Sequence, residues 1–181
     1  MSLGVVLYGP PAVGKDTVTG ALHQLDPRYG LFRRLKAGPG RTAGYRLTDE
    51  AAIAALRQGG QIVWENRRYG ALYVVDRPAL VAHLDQGVPV VHLGQAEAID
   101  PVLAVVPDAR WLVVALRCPR DVAAERITAR ATGDTAERLH RWDQTPELDR
   151  PGVLAIDTAR TTPHDAAAQI HQHAAALSAT A

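Results

Sequence analysis

The segment Gly9-Pro10-Pro11-Ala12-Val13-Gly14-Lys15-Asp16-Thr17 constrains this chain more than any other. It reads GxxxxGK, follows an apolar run and opens an amphipathic stretch. Strand, tight turn and helix in that order form the context in which this spacing carries meaning. The turn aims successive backbone N–H groups inward as an anion nest, and the helix N-terminus adds its positive end. Lys15 can then reach the outer phosphates of a nucleotide. The expected phosphate-binding set is Gly9, Pro10, Ala12, Val13, Gly14, Lys15, Asp16 and Thr17.

The residue after the lysine is ordinarily Ser or Thr, whose hydroxyl meets Mg²⁺. Here Asp16 stands there, with Thr17 next. Two readings of Asp16 stay open. Its carboxylate suits a hard cation, directly or through water; it equally suits a first-turn acid stabilised by the helix dipole. Asp16 and Thr17 are the candidate metal ligands.

Beyond the loop, short β-branched runs alternate with helical stretches. Residues 3–8, 62–64, 88–93, 111–116 and 153–156 read as buried strands. Helices are expected over 14–25, 49–57, 77–86, 120–131, 135–142 and 164–177, with 178–181 frayed. Thr48 is placed to N-cap the second helix, and Asp76 before Arg77-Pro78 to cap the third, with Gly87 past its end. Strands alternating with helices imply an α/β fold with a mainly parallel sheet covered on both faces. At 181 residues the chain is expected to be one domain. Its net charge of +1 gives no bulk attraction to nucleic acid or membrane, so phosphate binding must rest on local cations. A single cysteine, Cys118, excludes an internal disulfide and reads as structural. The start carries neither a basic segment nor a long apolar one, so no signal peptide is expected and the cytoplasm is the default compartment.

Two further segments carry chemistry. Arg33, Arg34, Lys36 and Arg41, followed by Tyr45 and later Tyr73, suit a phosphorylated acceptor, since guanidinium forks and phenol hydroxyls both donate to phosphate oxygens. A solvated basic loop and a core Tyr73 are the plain alternatives. Glu65 either reads a base edge or caps a turn. Farther on, Arg117, Arg120, Arg126, Arg130, Arg138 and Arg141 flank Gly133-Asp134. They suit a lid that brings positive charge to a reacting phosphoryl group, or they pair with Glu125 and Glu137 on helix surfaces. No metal cluster is legible: His164, His171 and His173 read as surface residues and His92 as a core histidine.

These features together resemble the nucleoside monophosphate kinases, in particular guanylate kinases and the ribose 1,5-bisphosphate phosphokinases, of which the latter also carry the Gly14-Lys15-Asp16 sequence. The shared pattern runs from the basic segment through Gly44-Tyr45 and a helix to Trp64-Glu65, Gly70-Ala71-Leu72-Tyr73 and Gly87. The resemblance implies a P-loop NTPase fold, a three-layer α/β/α core with a small acceptor-binding insert near 33–75 and an arginine lid near 126–141. It implies ATP and Mg²⁺ as cofactors, a small phosphorylated acceptor, and Lys15, Arg130 and Arg138 as catalytic residues. Arg34, Lys36, Arg41, Tyr45, Glu65 and Tyr73 would bind the acceptor, and Asp157-Thr158 would lie near the adenine. Departures bear on guanine. Trp64 falls where the guanine-reading glutamate belongs, Val74 replaces a glycine, and Gly94 stands where an aspartate ends the middle strand. Guanosine monophosphate is therefore expected to be a poor acceptor. A sugar phosphate such as ribose 1,5-bisphosphate is the nearest alternative. A non-catalytic interaction module is a more distant one, because Gly9, Gly14 and Lys15 are all kept.

Overall fold

The apolar run at the start of the chain becomes β1 (Leu3–Tyr8), the middle strand of a five-stranded parallel sheet in a computed structural model that describes residues 2–130 and 133–179. On one side lie β7 (Val88–Leu93) and then β2 (Tyr29–Leu31); on the other lie β8 (Arg110–Arg117) and then β9 (Leu154–Asp157). Val5 and Leu7 enter one apolar cluster while Val6 and Tyr8 enter another. That alternation is what a strand buried on both faces requires.

The first face is covered by α1 (Lys15–Leu25), α5 (Arg120–Ala129) and α7 (Pro163–Ala179), through Val18, Leu22, Ala123, Ile170 and Ala174. The second is covered by α3 (Arg77–Gln86) and α4 (Ile99–Leu103), through Leu80, Ile99 and Val102. The three layers match the expected fold. The chain leaves β1 for α1 on the first face and leaves the adjacent β7 for α4 on the second, so the loops at those strand ends diverge and open a crevice, the usual ligand position in such sheets.

The insert is more ordered than its sequence suggests. β3 (Leu35–Ala37), β4 (Arg46–Leu47), β5 (Ile62–Arg68) and β6 (Ala71–Asp76) form a second sheet in the order β4-β3-β6-β5. It is backed by α2 (Glu50–Gln58), whose Ile53 packs with Ala37, Leu72 and Val74. β5 runs well past Trp64, where the apolar signal stops, because antiparallel pairing with β6 carries it through polar residues to Arg68. The hairpin turns at Tyr69-Gly70, both with positive φ (51° and 70°), the two-residue geometry that matches strand twist.

Two cap expectations resolve differently. Asp49, not Thr48, caps α2, its carboxylate accepting from Ala52 N at 2.7 Å. Asp76 does cap α3, accepting from Ala79 N at 3.3 Å. Asp76 also pairs with Arg46, whose Nε donates to the Arg33 carbonyl at 2.8 Å. One guanidinium thus clasps the strands where the insert leaves the core. The lid region begins with α5 and continues with α6 (Thr135–Asp143). The expected helix end at Ala131, and Thr180 and Ala181 of the frayed end, lie outside the described residues.

Candidate active site

The loop between β1 and α1 is wound tightly. Gly9 has φ 152°, and a Cβ there would lie 2.5 Å from the Leu116 carbonyl oxygen, so no side chain fits. Gly14, the residue before α1, sits at φ 103°. Ala12 holds φ 62°, a left-handed conformation that costs a non-glycine residue about 1 kcal/mol and persists only where its surroundings enforce it. The enforcement is visible. Thr158, just past β9, donates its hydroxyl to the Val13 carbonyl at 2.8 Å. Arg126 from α5 then reaches Thr158 Oγ1 at 3.1 Å, the Thr158 carbonyl at 2.8 Å and the Ala12 carbonyl at 3.4 Å. Arg126 therefore braces the loop, whereas its sequence neighbourhood placed it in the lid. The Asp157 carboxylate accepts from Ala159 N at 2.9 Å and shapes the turn that delivers Thr158.

Lys15 folds back over this loop, donating to the carbonyls of Gly9 and, at 2.9 Å, Pro10. Burial pushes its ammonium down to about 7; Asp16 pulls it up, and Arg34 and Arg130 push it further down. Such a lysine gains from an incoming anion, because phosphate oxygens supply the counter-charge the loop lacks. Asp16 stands beside it at the cleft with half its side chain exposed, Oδ2 3.4 Å from Arg41 Nη1 and Oδ1 3.6 Å from His92 Nδ1. His92, at the end of β7, has Nε2 2.7 Å from the buried Thr19 hydroxyl. Burial and the neighbouring Lys15 push His92 down to about 3, so the imidazole is neutral.

Across the cleft stands the acceptor side. The Arg34 guanidinium lies 5.5 Å from the Tyr73 ring centroid and 5.9 Å from that of Tyr45, whose rings are 5.3 Å apart. Among the described residues no carboxylate pairs with Arg34, so its charge is directed by aromatic faces and left for a ligand. Deeper in, the pleat of β5 turns Asn66 and Arg68 to the cleft and Glu65 away from it. With its amide oxygen turned to the donors, Gln95 accepts from Asn66 Nδ2 at 2.9 Å and from Arg68 Nε and Nη2 at 2.8 Å. Burial, and then Arg141, push Arg68 down from the usual arginine value. Arg130 and Arg138 reach the same cleft from the lid; Arg138 is held by Asp134 at 2.7 Å. Asp16 is the one carboxylate among the described residues lining this cleft.

Most residues expected from sequence converge here: Gly9, Ala12, Val13, Gly14, Lys15, Asp16, Arg34, Arg41, Tyr45, Tyr73, Arg130 and Arg138. Pro10 contributes its carbonyl to Lys15. Besides Pro10, three residues are not brought to the lining. Thr17 is exposed on α1, one position past Asp16. Lys36 is almost fully buried, its ammonium wrapped by the carbonyls of Gly38 and Pro39. Glu65 is bound by Arg57, Nη2 to Oε2 2.7 Å, on the opposite face of β5. Sequence reading missed Asn66, Arg68, Gln95 and the role of His92. The alternation along Trp64, Asn66 and Arg68 was the signal available for the first two.

No protein-family model matches the chain. Over 145 residues it is 34% identical to the bifunctional ribose 1,5-bisphosphokinase-thymidine phosphorylase of Cupriavidus necator, an alignment covering 75% of this chain and 23% of that protein's length. Over 159 residues it is 30% identical to a guanylate kinase of Frankia casuarinae, covering 84% of this chain and 83% of the relative. Among solved structures, the guanylate kinase from Anaplasma phagocytophilum superposes with a TM-score of 0.58 at 15% identity, over 97% of this chain and 85% of that one. That last likeness is one of fold. No helix among the described residues is long and apolar enough to cross a membrane.

Proposed function

Because the chain belongs to the guanylate kinase-like P-loop kinases, we propose that it transfers the γ-phosphoryl group of ATP to a small phosphorylated acceptor. The observation that carries this reading is the pairing across one cleft of Lys15, folded on its own loop carbonyls, with the Arg34–Tyr45–Tyr73 cluster. Donor phosphates enter the loop amides and draw Lys15 off Gly9 and Pro10. The acceptor phosphate meets Arg34, Tyr45, Tyr73 and Arg41.

An acceptor phosphate oxygen attacks the γ-phosphorus in line, the bond to the β–γ bridging oxygen breaks, and ADP leaves with the electron pair. No general base is needed, since that oxygen is already anionic, and among the described residues the cleft has no carboxylate on the acceptor side. Arg130 and Arg138 stabilise charge on the transferring group. The donor set suits Mg²⁺, which takes one or two carboxylates plus substrate phosphates: Asp16 would hold it, and it would neutralise charge on the β- and γ-oxygens.

A specific feature favours one alternative acceptor over a purine nucleotide. Where a base edge would be read, the cleft presents Arg68 held by an amide oxygen rather than a carboxylate. A guanine edge offers N–H donors and needs an acceptor there. A sugar carrying a second phosphate instead suits a guanidinium. Ribose 1,5-bisphosphate, the acceptor in the name of the Cupriavidus relative, is of that kind. An ADP-release screen over nucleoside monophosphates and phosphorylated sugars tests both readings. Turnover is expected with a phosphorylated sugar and little with guanosine monophosphate; no ADP release above background with any of them would sink the kinase proposal.

A further inference from the structure

His92 spans two groups one turn apart on α1. Its Nε2 lies 2.7 Å from Thr19 Oγ1 and its Nδ1 lies 3.6 Å from Asp16 Oδ1. A neutral imidazole carries one ring proton, and the partner of one nitrogen fixes where that proton sits. Were Nε2 the protonated nitrogen, Thr19 would accept and Nδ1 would turn a lone pair toward the Asp16 carboxylate, negative against negative. With the Thr19 hydroxyl donating to Nε2, the proton sits on Nδ1 and faces Oδ1.

The second arrangement leaves Asp16 with its two oxygens unequally committed. Oδ1 lies 3.6 Å from the imidazole Nδ1, while Oδ2 is met, among the described residues, only by Arg41, an exposed and readily exchanged partner at 3.4 Å. We propose that His92 is a positioning residue: as the Nδ1–H tautomer it holds the Asp16 carboxylate so that Oδ2 faces the cation accompanying the donor nucleotide. This role rests on the donor reading of the loop given above. Outer partners of a ligating carboxylate typically change metal affinity ten- to a hundredfold when removed. Thr19 is the anchor, because it is buried and fixed to the same helix as Asp16.

Two measurements test this. Nitrogen-15 shifts of the imidazole in the unaltered protein, without metal or nucleotide, report the tautomer; Nδ1–H is expected, and Nε2–H overturns the proposal. Second, His92→Asn keeps an N–H close to the Nδ1 position, whereas His92→Gln reaches Thr19 but not Asp16. Calorimetry with ADP should show His92→Gln weakening Mg²⁺-dependent binding about tenfold, with metal-free ADP binding unchanged and His92→Asn close to the unaltered protein. Equal behaviour of the two variants, or equal weakening with and without metal, overturns the positioning role. If the unaltered protein binds no ADP at all, the donor reading fails, and the tautomer alone then decides the His92–Asp16 arrangement.

Discussion

Arg41 of the acceptor side lies 3.4 Å from Asp16 at the head of α1, so one ion pair bridges the two halves of the cleft. Both side chains are about half exposed, and such a pair is worth roughly 0–1 kcal/mol. A divalent cation on Asp16 would displace Arg41 and release it toward the acceptor phosphate. Arg41→Ala is therefore expected to raise the acceptor KM about tenfold while leaving ATP KM within about twofold, since one charge-assisted hydrogen bond is lost on one side only. Steady-state kinetics varying each substrate in turn checks the split.

Lys15→Ala should lower kcat by at least about a hundredfold, the usual cost of removing a fixed donor from a reacting phosphoryl or oxyanion group. Its melting temperature should stay close to that of the unaltered protein, because the removed ammonium is unfavourably buried in the empty loop. Near-normal turnover in a folded variant would remove the loop from the mechanism.

The same lysine gives a pH signature. In the empty loop it titrates near 7, and bound phosphates raise it. Above that pH the complex holds more protons than the free protein, so binding takes protons up, and affinity for metal-free ADP falls as pH rises. Calorimetry at about pH 8 in two buffers of different ionisation enthalpy reads the uptake directly. Identical heats in both would show Lys15 already charged before the nucleotide arrives.

Arg130→Ala and Arg138→Ala should each lower kcat about a hundredfold with smaller changes in ATP KM, since charge that forms only in the transition state is felt in kcat. Arg138 has a second partner in Asp134 at 2.7 Å, so Arg138→Ala should also lower the melting temperature slightly, and Arg130→Ala should not. If both changed stability alone, the arginines would be surface ion-pair residues.

On the acceptor side, Arg68→Ala and Glu65→Ala should separate. Arg68 lines the cleft, and Glu65 is held by Arg57 behind β5. Acceptor KM is expected to rise about tenfold or more for the first and to stay unchanged for the second. Loss of selective guanosine monophosphate turnover on Glu65→Ala would instead restore guanine reading through that carboxylate.

What the sequence disclosed divides along a physical line. The phosphate-binding loop is written in nine consecutive residues, so its chemistry and the flanking strand and helix are legible at short range. The strands of the central sheet are equally plain, because burial on both faces makes them near-continuous apolar runs such as 88–91 and 111–116. β5 is different: only its first residues are apolar, and its extension to Arg68 depends on pairing with β6, which no local pattern contains. Arg68 and Asn66 vanished from view with it. His92 reads from sequence as a core residue, and it is largely buried; that its edge meets Asp16 and Thr19 follows from β7 lying beside β1, a fact of topology.

The Arg46 clasp across Arg33 and Asp76 has a consequence for how this chain can change. It draws together the two points at which the acceptor-side sheet leaves and rejoins the core, close to where Val63, Trp64 and Val75 pack into the same apolar cluster as Val6 and Tyr8 of β1. Substitutions at the sheet's cleft-facing positions Asn66, Arg68 and Tyr73 alter what is presented to the transferring phosphoryl group without touching the loop's Thr158 brace. Acceptor preference can in that sense be altered at side chains that neither hold the donor loop nor enter the shared core.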